Sequence, residues 1–521
     1  MKKIFLSLYQ TLRDRPRFDW VFVAILLALY VGLALWNITA GSIWFDEAFS
    51  AYIIQYNPFE IARYTASDVH PPLYYWLLQA WVAVFGRTEF GLRSMSIFFG
   101  LIAAVFAYLW MRRQFGRRVA VTSLVVLVLS PLFIRYSQEA RMYTLAAAIV
   151  FAATYLLTRA MKEKKRWQWV TYGILIAAGM LTHYFTALAW IAHWVWRYID
   201  IRRTGVKATD QLRLFFTKDW LIAYGLAVGI FAAWLPAMVI QLVVIQSTGF
   251  WISPVGVDTV GSYFGTLVYF LQSYQITGWF AATLVLMGII IVVLAIKTYR
   301  SLKISEKRSY TLLLSLAAVP PILLFIASLP PLTSSFVERY LLPAAIASAL
   351  FVGLILAKGL RQLAVWKQLA VGVIVIAMLV SGLGNMYFYG NYNKNSRTGI
   401  ETRAVVEMVK EKAAPGEPIV TNTPWVFYEA TFYNSEENPI YFLDESTNYE
   451  FGSLDMLKDS DRYKIKDLDA FVQEHPKIWY IGYSETALTP PRDGWTVLDE
   501  LSATSHVDGR TVYRGIEVLA R

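Results

Sequence analysis

Asp46 and Glu47 stand side by side in the run Ile43-Trp44-Phe45-Asp46-Glu47-Ala48. Asp68 and His70 follow in Asp68-Val69-His70-Pro71-Pro72-Leu73-Tyr74-Tyr75. A carboxylate in a partly dry cleft can act as a general base toward a hydroxyl. An imidazole can hold a phosphate oxygen or orient a carboxylate. Neighbouring carboxylates on a helix point about 100° apart, so one can act while the other braces it. The competing reading is a solvated acidic pair at a helix start, where negative charge complements the dipole. Asp68 and His70 also make the one candidate for a divalent cation, although two ligands at this spacing do not define a site. The motifs call for no other cofactor.

Two further clusters carry cations beside acids. One is Arg135-Tyr136-Ser137-Gln138-Glu139-Ala140-Arg141-Met142-Tyr143, and the other is Ser334-Ser335-Phe336-Val337-Glu338-Arg339-Tyr340. Guanidinium binds phosphate through two parallel donors and does not deprotonate. Arg135, Arg141 or Arg339 can therefore hold a phosphate, and an ion pair of Glu139 or Glu338 with its neighbour is the alternative. His183 and Tyr184 belong to another polar turn and can line the same cavity.

The elements that position these groups are apolar runs of membrane-spanning length, which recur from residue 20 to 388. The chain of 521 residues is 57% hydrophobic and only 16% charged, with a mean hydropathy of +0.44, against about 25% charged in an ordinary soluble domain. This composition describes a polytopic α-helical membrane protein. Net charge divides unevenly: residues 1–388 carry +19 and residues 389–521 carry −8. The basic residues sit in short clusters between apolar runs, as juxtamembrane anchors do, and not in the contiguous patch that nucleic acid needs. There is no cysteine, which excludes disulfides and thiolate chemistry. Walker, dinucleotide and metalloprotease motifs are absent.

The positive-inside rule decides the topology. Residues 71–85 are apolar but short and begin with two prolines, which suit a helix start. With that segment in the interface, the cytoplasmic segments hold 28 Lys and Arg. The outer loops before residue 389 hold only six: Arg63, Arg87, Arg93, Arg135, Arg141 and Arg339. Eleven spans are then expected, near 20–40, 94–111, 119–134, 142–160, 167–182, 184–199, 219–246, 277–296, 310–329, 340–357 and 369–387, with one or two interfacial helices in a first outer loop over 41–93. Lys2, Lys3, Arg13, Arg15 and Arg17 precede the first span as in a signal-anchor with a cytoplasmic N-terminus. Asp46, Glu47, Asp68, His70, Arg135, Glu139, Arg141, His183, Glu338, Arg339 and Tyr340 then fall on one outer face, with Tyr74 and Tyr75 at headgroup depth.

After residue 388 the pattern changes. Residues 389–399 have linker composition. Residues 401–412 read as an amphipathic helix with Val405, Val406 and Val409 on one side. Strands are expected over 418–421, 439–442, 477–482 and 495–498, and a helix over 465–473. The division is a transmembrane module over 1–388 and an extracytoplasmic α/β cap over 389–521.

The Asp-Glu pair in the first outer loop, followed by His70-Pro71-Pro72, resembles protein O-mannosyltransferases. Pro71-Pro72-Leu73-Tyr74-Tyr75-Trp76 and Arg112-Arg113-Gln114-Phe115-Gly116-Arg117-Arg118 are similar to bacterial relatives, including aminoarabinose transferases acting on lipid A. These are GT-C fold glycosyltransferases of family 39 type. The likeness covers roughly residues 20–345 and is most specific over 44–143. It implies a polyprenyl-phosphate sugar donor, a lipid, glycan or protein acceptor, and chemistry at the outer face of a bacterial plasma membrane. By resemblance Asp46 takes the position of the catalytic aspartate, His70 that of the basic residue before Pro-Pro, and Arg339 or Tyr340 that of a late phosphate contact. This chain has His where an aminoarabinose transferase has Lys, which leaves sugar and acceptor open. The rival reading is a transporter or flippase of lipid-linked saccharides; such proteins place ionisable groups near the midplane at broken helices, and Pro236, Pro320 and Pro321 do interrupt spans.

Overall fold

Long apolar runs with few breakers fold as helices whichever solvent surrounds them, because only a helix satisfies its own backbone in hydrocarbon. A computed structural model describes residues 16–248, 252–271, 275–361, 363–389, 402–434, 437–443, 460–484, 488–503 and 512–519. The basic residues Lys2 to Arg15 and the expected linker after residue 389 lie outside them. Among the described residues, six helices are long and apolar enough to cross a membrane: Glu89–Phe115, Tyr143–Glu163, Gly278–Ser301, Ile304–Ala327, Glu338–Gly359 and Val365–Phe388. The number is eight if each of two bent pairs counts as one span. This is an integral membrane protein. Helix Gly278–Ser301 leaves Val285, Leu286, Ile289 and Val292 exposed, a surface suited to lipid.

Two expected spans are broken. Residues 119–134 form helices Arg117–Val128 and Pro131–Ser137, bent by 63°. Ser130 is extended, at φ −68° and ψ 117°, and Pro131 restarts the helix, because proline pushes the preceding residue out of the helical region. Residues 219–246 likewise divide into Lys218–Phe231 and Leu235–Thr248. Pro320 and Pro321, by contrast, sit inside helix Ile304–Ala327 without ending it.

Residues 41–93 hold three short helices where one or two were expected: Phe45–Ile53, Pro58–Ala66 and Leu73–Phe85. The 13 residues of Leu73–Phe85 extend about 20 Å, short of the ~30 Å hydrocarbon core. Asn57 starts helix Pro58–Ala66 by accepting from the amides of Phe59 and Glu60, while the Glu60 carboxylate accepts from the Asn57 amide, a reciprocal cap. Close packing behind the loop depends on Gly100. A Cβ there would lie 1.9 Å from the Tyr30 hydroxyl, which donates to Ser137 Oγ (2.8 Å) and joins helices Pro16–Leu35 and Pro131–Ser137.

The C-terminal part contains helix Thr402–Lys412, with Val405, Val406 and Val409 fully buried, and a six-stranded sheet. Its strands are β1 (Ile419–Thr421), β2 (Ile440–Leu443), β3 (Lys464–Ile465), β4 (Lys477–Ser484), β5 (Thr496–Ala503) and β6 (Val512–Leu519), in the order β3-β2-β1-β4-β6-β5. β1 to β4 pair in parallel, and β6 runs antiparallel between β4 and β5. Sequence patterning did not anticipate β3, β6 or helix Pro424–Tyr433. The C-terminal part is fastened to the segment 41–93. Arg403 Nη1 donates to Glu89 Oε1 (2.8 Å) and Oε2 (3.0 Å). The Tyr433 hydroxyl donates to Glu89 Oε1 (2.6 Å) and accepts from the Ile43 amide (2.7 Å).

Candidate active site

Helix Phe45–Ile53 begins after Trp44, an extended residue that makes no side-chain cap. Asp46 and Glu47 occupy its first turn, where negative charge favours the N-terminus. Their environments differ sharply. Glu47 is 1% exposed, and Arg93, also 1% exposed, donates to it twice: Nε to Oε1 at 2.9 Å and Nη2 to Oε2 at 2.6 Å. The Ala140 amide adds a third donor to Glu47 Oε1 at 2.8 Å. Arg93 also donates to the carbonyls of Ile38, Gly41 and Ser42. Its guanidinium thus fixes both the acid and the loop leading into it. A buried charge pair is tolerable only when such extra hydrogen bonds complete it. Glu47, one of the two carboxylates read as catalytic, has the geometry of a brace.

Asp46 is 19% exposed, and Arg141 Nε lies 3.8 Å from its Oδ2. Arg141 Nη1 donates to the Asp46 carbonyl and to Ser50 Oγ, both at 3.2 Å. His70 joins this group: its Nε2 lies 3.3 Å from Arg141 Nη2, and its Nδ1 lies 3.1 Å from Asp68 Oδ2. An arginine can only donate, so Nε2 is the acceptor and Nδ1 carries the proton toward Asp68. The chain Asp68–His70–Arg141–Asp46 is therefore directional, with the two acids at its ends. Burial lowers the pKa of Arg141, but the charge of Asp46 and the neighbouring Tyr75 and Tyr143 outweigh it, so the guanidinium stays charged.

A third wall is aromatic. The turn Glu338–Leu341 carries Glu338, Arg339 and Tyr340. The Arg339 guanidinium lies 5.7 Å from the ring centres of both Trp44 and Tyr340. Tyr340 stacks on Phe185 at 4.8 Å and meets the His183 ring at 4.9 Å, and His183 in turn lies 6.0 Å from His70. Burial, then the neighbouring His70 and the Arg141 and Arg339 guanidiniums, push the pKa of His183 well below the ordinary imidazole value. Its neutral form is built into the fold. Stability should thus be full above about pH 6.5 and fall by up to ~1.4 kcal/mol per unit below it, as the unfolded chain takes a proton that the site refuses. Thermal unfolding of wild type and His183→Asn in detergent between pH 5 and 7.5 checks this; parallel pH slopes would rule it out.

Residues from four separate turns thus meet: Asp46, Asp68, His70, Arg141, His183, Arg339 and Tyr340. Arg135 stands apart from this chain. It pairs with Glu139, and both are buried, the intramolecular ion pair that the sequence also allowed. Tyr74 and Tyr75 are fully buried at the start of helix Leu73–Phe85. Around Asp46 several buried donors meet no hydrogen-bond acceptor among the described residues: Trp44 Nε1, Tyr74 Oη and Arg141 Nε. Buried donors in this state are costly unless a ligand or water takes them. No group of three or more His, Cys, Asp or Glu side chains gathers among the described residues.

Arg93 was missed as a site residue, although an arginine inside an apolar helix signals a buried partner. Trp44 and Tyr143 lay inside the quoted runs but carried no signal separating them from packing aromatics.

Comparisons with known proteins bear on the fold. Residues 69–235 match the family model for dolichyl-phosphate-mannose-protein mannosyltransferase. No curated protein matches the chain in sequence. Among solved structures, ArnT from Cupriavidus metallidurans bound to undecaprenyl phosphate is 15% identical, with a TM-score of 0.61 over 95% of this chain and 97% of that one. The Archaeoglobus fulgidus oligosaccharyltransferase in complex with Zn and sulfate is 14% identical, with a TM-score of 0.50 over 89% of this chain and 68% of that one. The chain therefore has the GT-C fold of these membrane proteins and resembles the protein mannosyltransferases and ArnT.

Proposed function

We propose that this protein is a membrane glycosyltransferase. It transfers a sugar from a polyprenyl-phosphate donor to an acceptor hydroxyl at the outer face, with inversion and with Asp46 as general base. The observation that carries the reading is the contrast between the two adjacent acids. Glu47 is saturated by Arg93 and the Ala140 amide, whereas Asp46 keeps an open carboxylate beside a charged arginine and buried donors without acceptors. The undecaprenyl phosphate bound by the structurally similar ArnT supports a lipid-phosphate donor here.

In this mechanism Asp46 removes the acceptor proton as the hydroxyl oxygen attacks the anomeric carbon. The bond from that carbon to the phosphate oxygen breaks, and polyprenyl phosphate leaves. One displacement inverts the centre. Arg141 Nε and Arg339 meet the negative charge that develops on the departing phosphate. His70 holds Arg141 in place through Nε2, and Asp68 sets the imidazole tautomer. The membrane helices supply the apolar surface for the polyprenyl tail. Eleven spans, an outer cleft and an extracytoplasmic C-terminal domain belong to the same proposal.

The direct test is the purified protein incubated with polyprenyl-phosphate sugars and candidate acceptors, with products read by mass spectrometry; no transfer from any such donor would overturn the reading. Arg339→Ala should weaken donor binding by about 10–100-fold, the size of a lost charged hydrogen bond, with Arg339→Lys intermediate because it keeps charge but loses the fork. Titration of a polyprenyl-phosphate sugar against intrinsic tryptophan fluorescence measures it, and equal affinity in Arg339→Ala would remove the phosphate role.

A further inference from the structure

Helix Phe45–Ile53 has a second neighbour on the face next to Asp46. Phe45, Phe49 and Tyr52 stand at i, i+4 and i+7, one side of the helix. Helix Pro424–Tyr433 of the C-terminal domain lies along that side. Its Tyr428 ring lies 5.9 Å from Phe45, 5.8 Å from Phe49 and 5.2 Å from Tyr52, all edge to face, and Trp425 adds a contact to Phe45 at 6.2 Å. Phe49 in turn meets Tyr75 at 6.0 Å. Packing explains the ring. It does not explain the hydroxyl.

Tyr428 is 2% exposed, and its Oη has no hydrogen-bond partner among the described residues. Phenylalanine fills the same space without burying a polar atom, and a buried tyrosine ordinarily finds a partner for its O–H. The contrast with Tyr433, five residues on in the same helix, is instructive. The Tyr433 hydroxyl is used twice, by Glu89 and by the Ile43 amide, as a latch should be. Burial, then the charge of Asp68, raise the Tyr428 pKa, so the phenol stays protonated. Phe49, on which the Tyr428 ring packs, also meets Tyr75, so the unpartnered hydroxyl belongs to the aromatic cluster on the helix that carries Asp46.

We propose that Tyr428 is a substrate-contacting residue supplied by the C-terminal domain, its phenolic O–H donating to an oxygen of the bound glycosyl phosphate or of the acceptor. The inference rests on the transferase reading above and adds to it. The C-terminal domain becomes a wall of the site, and its ring locks the helix that carries Asp46 while its hydroxyl reads the ligand.

The test compares full-length wild type with Tyr428→Phe, which keeps the ring and removes one atom. Steady-state transfer is measured with donor and acceptor varied separately, and undecaprenyl phosphate binding is measured directly. KM should rise about tenfold, the size of one lost hydrogen bond in a buried site, for the substrate that accepts from Tyr428. The thermal midpoint should not fall, because the packing is intact. A rise for the donor together with weaker undecaprenyl phosphate binding identifies a phosphate-side contact, and a rise for the acceptor alone identifies the acceptor. Tyr428→Ala removes the ring as well and should lower kcat through the helix it supports. Equal KM values for both substrates in wild type and Tyr428→Phe would sink the inference while leaving the transferase reading in place. A wild-type protein that transfers from no donor would instead sink the transferase reading on which it rests.

Discussion

Asp46→Asn is expected to lower sugar transfer by about 10²–10⁴-fold, the range that a positioned general base contributes, with the protein still folded and inserted. The substitution is nearly isosteric, and no packing depends on the carboxylate, which is 19% exposed. What changes is chemistry: an amide cannot take the acceptor proton. Arg141 loses its nearest opposite charge but keeps the Asp46 carbonyl, Ser50 and His70 as partners, so the wall should hold its shape. Product formation by mass spectrometry reads the rate, and a monodisperse elution profile with an unchanged melting midpoint reads the fold. Transfer near the wild-type rate would remove Asp46 as the base.

The adjacent acid should respond in the opposite manner. Glu47→Ala leaves the Arg93 guanidinium buried without its counter-charge, and Arg93→Ala strands Glu47 in the same way. Breaking one side of a buried pair costs about 3–5 kcal/mol, so both variants should melt lower and lose activity together. Replacing both residues by apolar side chains of similar volume, Glu47→Leu with Arg93→Met, should recover much of the melting midpoint, since no uncompensated charge remains. It should not recover transfer, because Arg93 also holds the carbonyls of Ile38, Gly41 and Ser42 ahead of the helix. Thermal unfolding of wild type, Glu47→Leu, Arg93→Met and the double variant gives the coupling energy. A coupling near zero would mean that Glu47 and Arg93 do not act as a pair, and would reopen Glu47 as a chemical group.

Much of this arrangement could be read from the chain itself. Hydropathy placed the apolar helices because length and polarity suffice for that. The distribution of arginines and lysines argued for a short helix over 71–85, and helix Leu73–Phe85 has 13 residues. The meeting of Asp46, His70, Arg141 and Arg339 followed from placing their turns on one side. What could not be read was which acid pairs with which cation. Glu47 and Arg93 are 46 residues apart, and either acid of the pair would have satisfied the spacing. The break at Pro131 was written in the sequence as a proline restart, but the flanking run is apolar enough to hide it. Helix Pro424–Tyr433 was missed because aromatic and β-branched residues dominate it, although Thr423 followed by Pro424 is a helix start: the Thr423 hydroxyl accepts from the Val426 amide. That omission concealed Tyr428.

The latch between Tyr433 and Ile43 joins residues 390 positions apart. During synthesis the helix with Asp46 leaves the ribosome early, and the side chains that close over it come last. A nascent chain that stops at residue 388 already carries Asp46, His70, Arg141 and Arg339, but not the Tyr428 ring that packs on Phe45, Phe49 and Tyr52. The pocket is consequently a late product of biogenesis, completed only when the end of the polypeptide folds back onto its beginning. Until then the sides of Phe45, Phe49 and Tyr52 that Tyr428 covers stay open, and their burial marks the docking of helix Pro424–Tyr433.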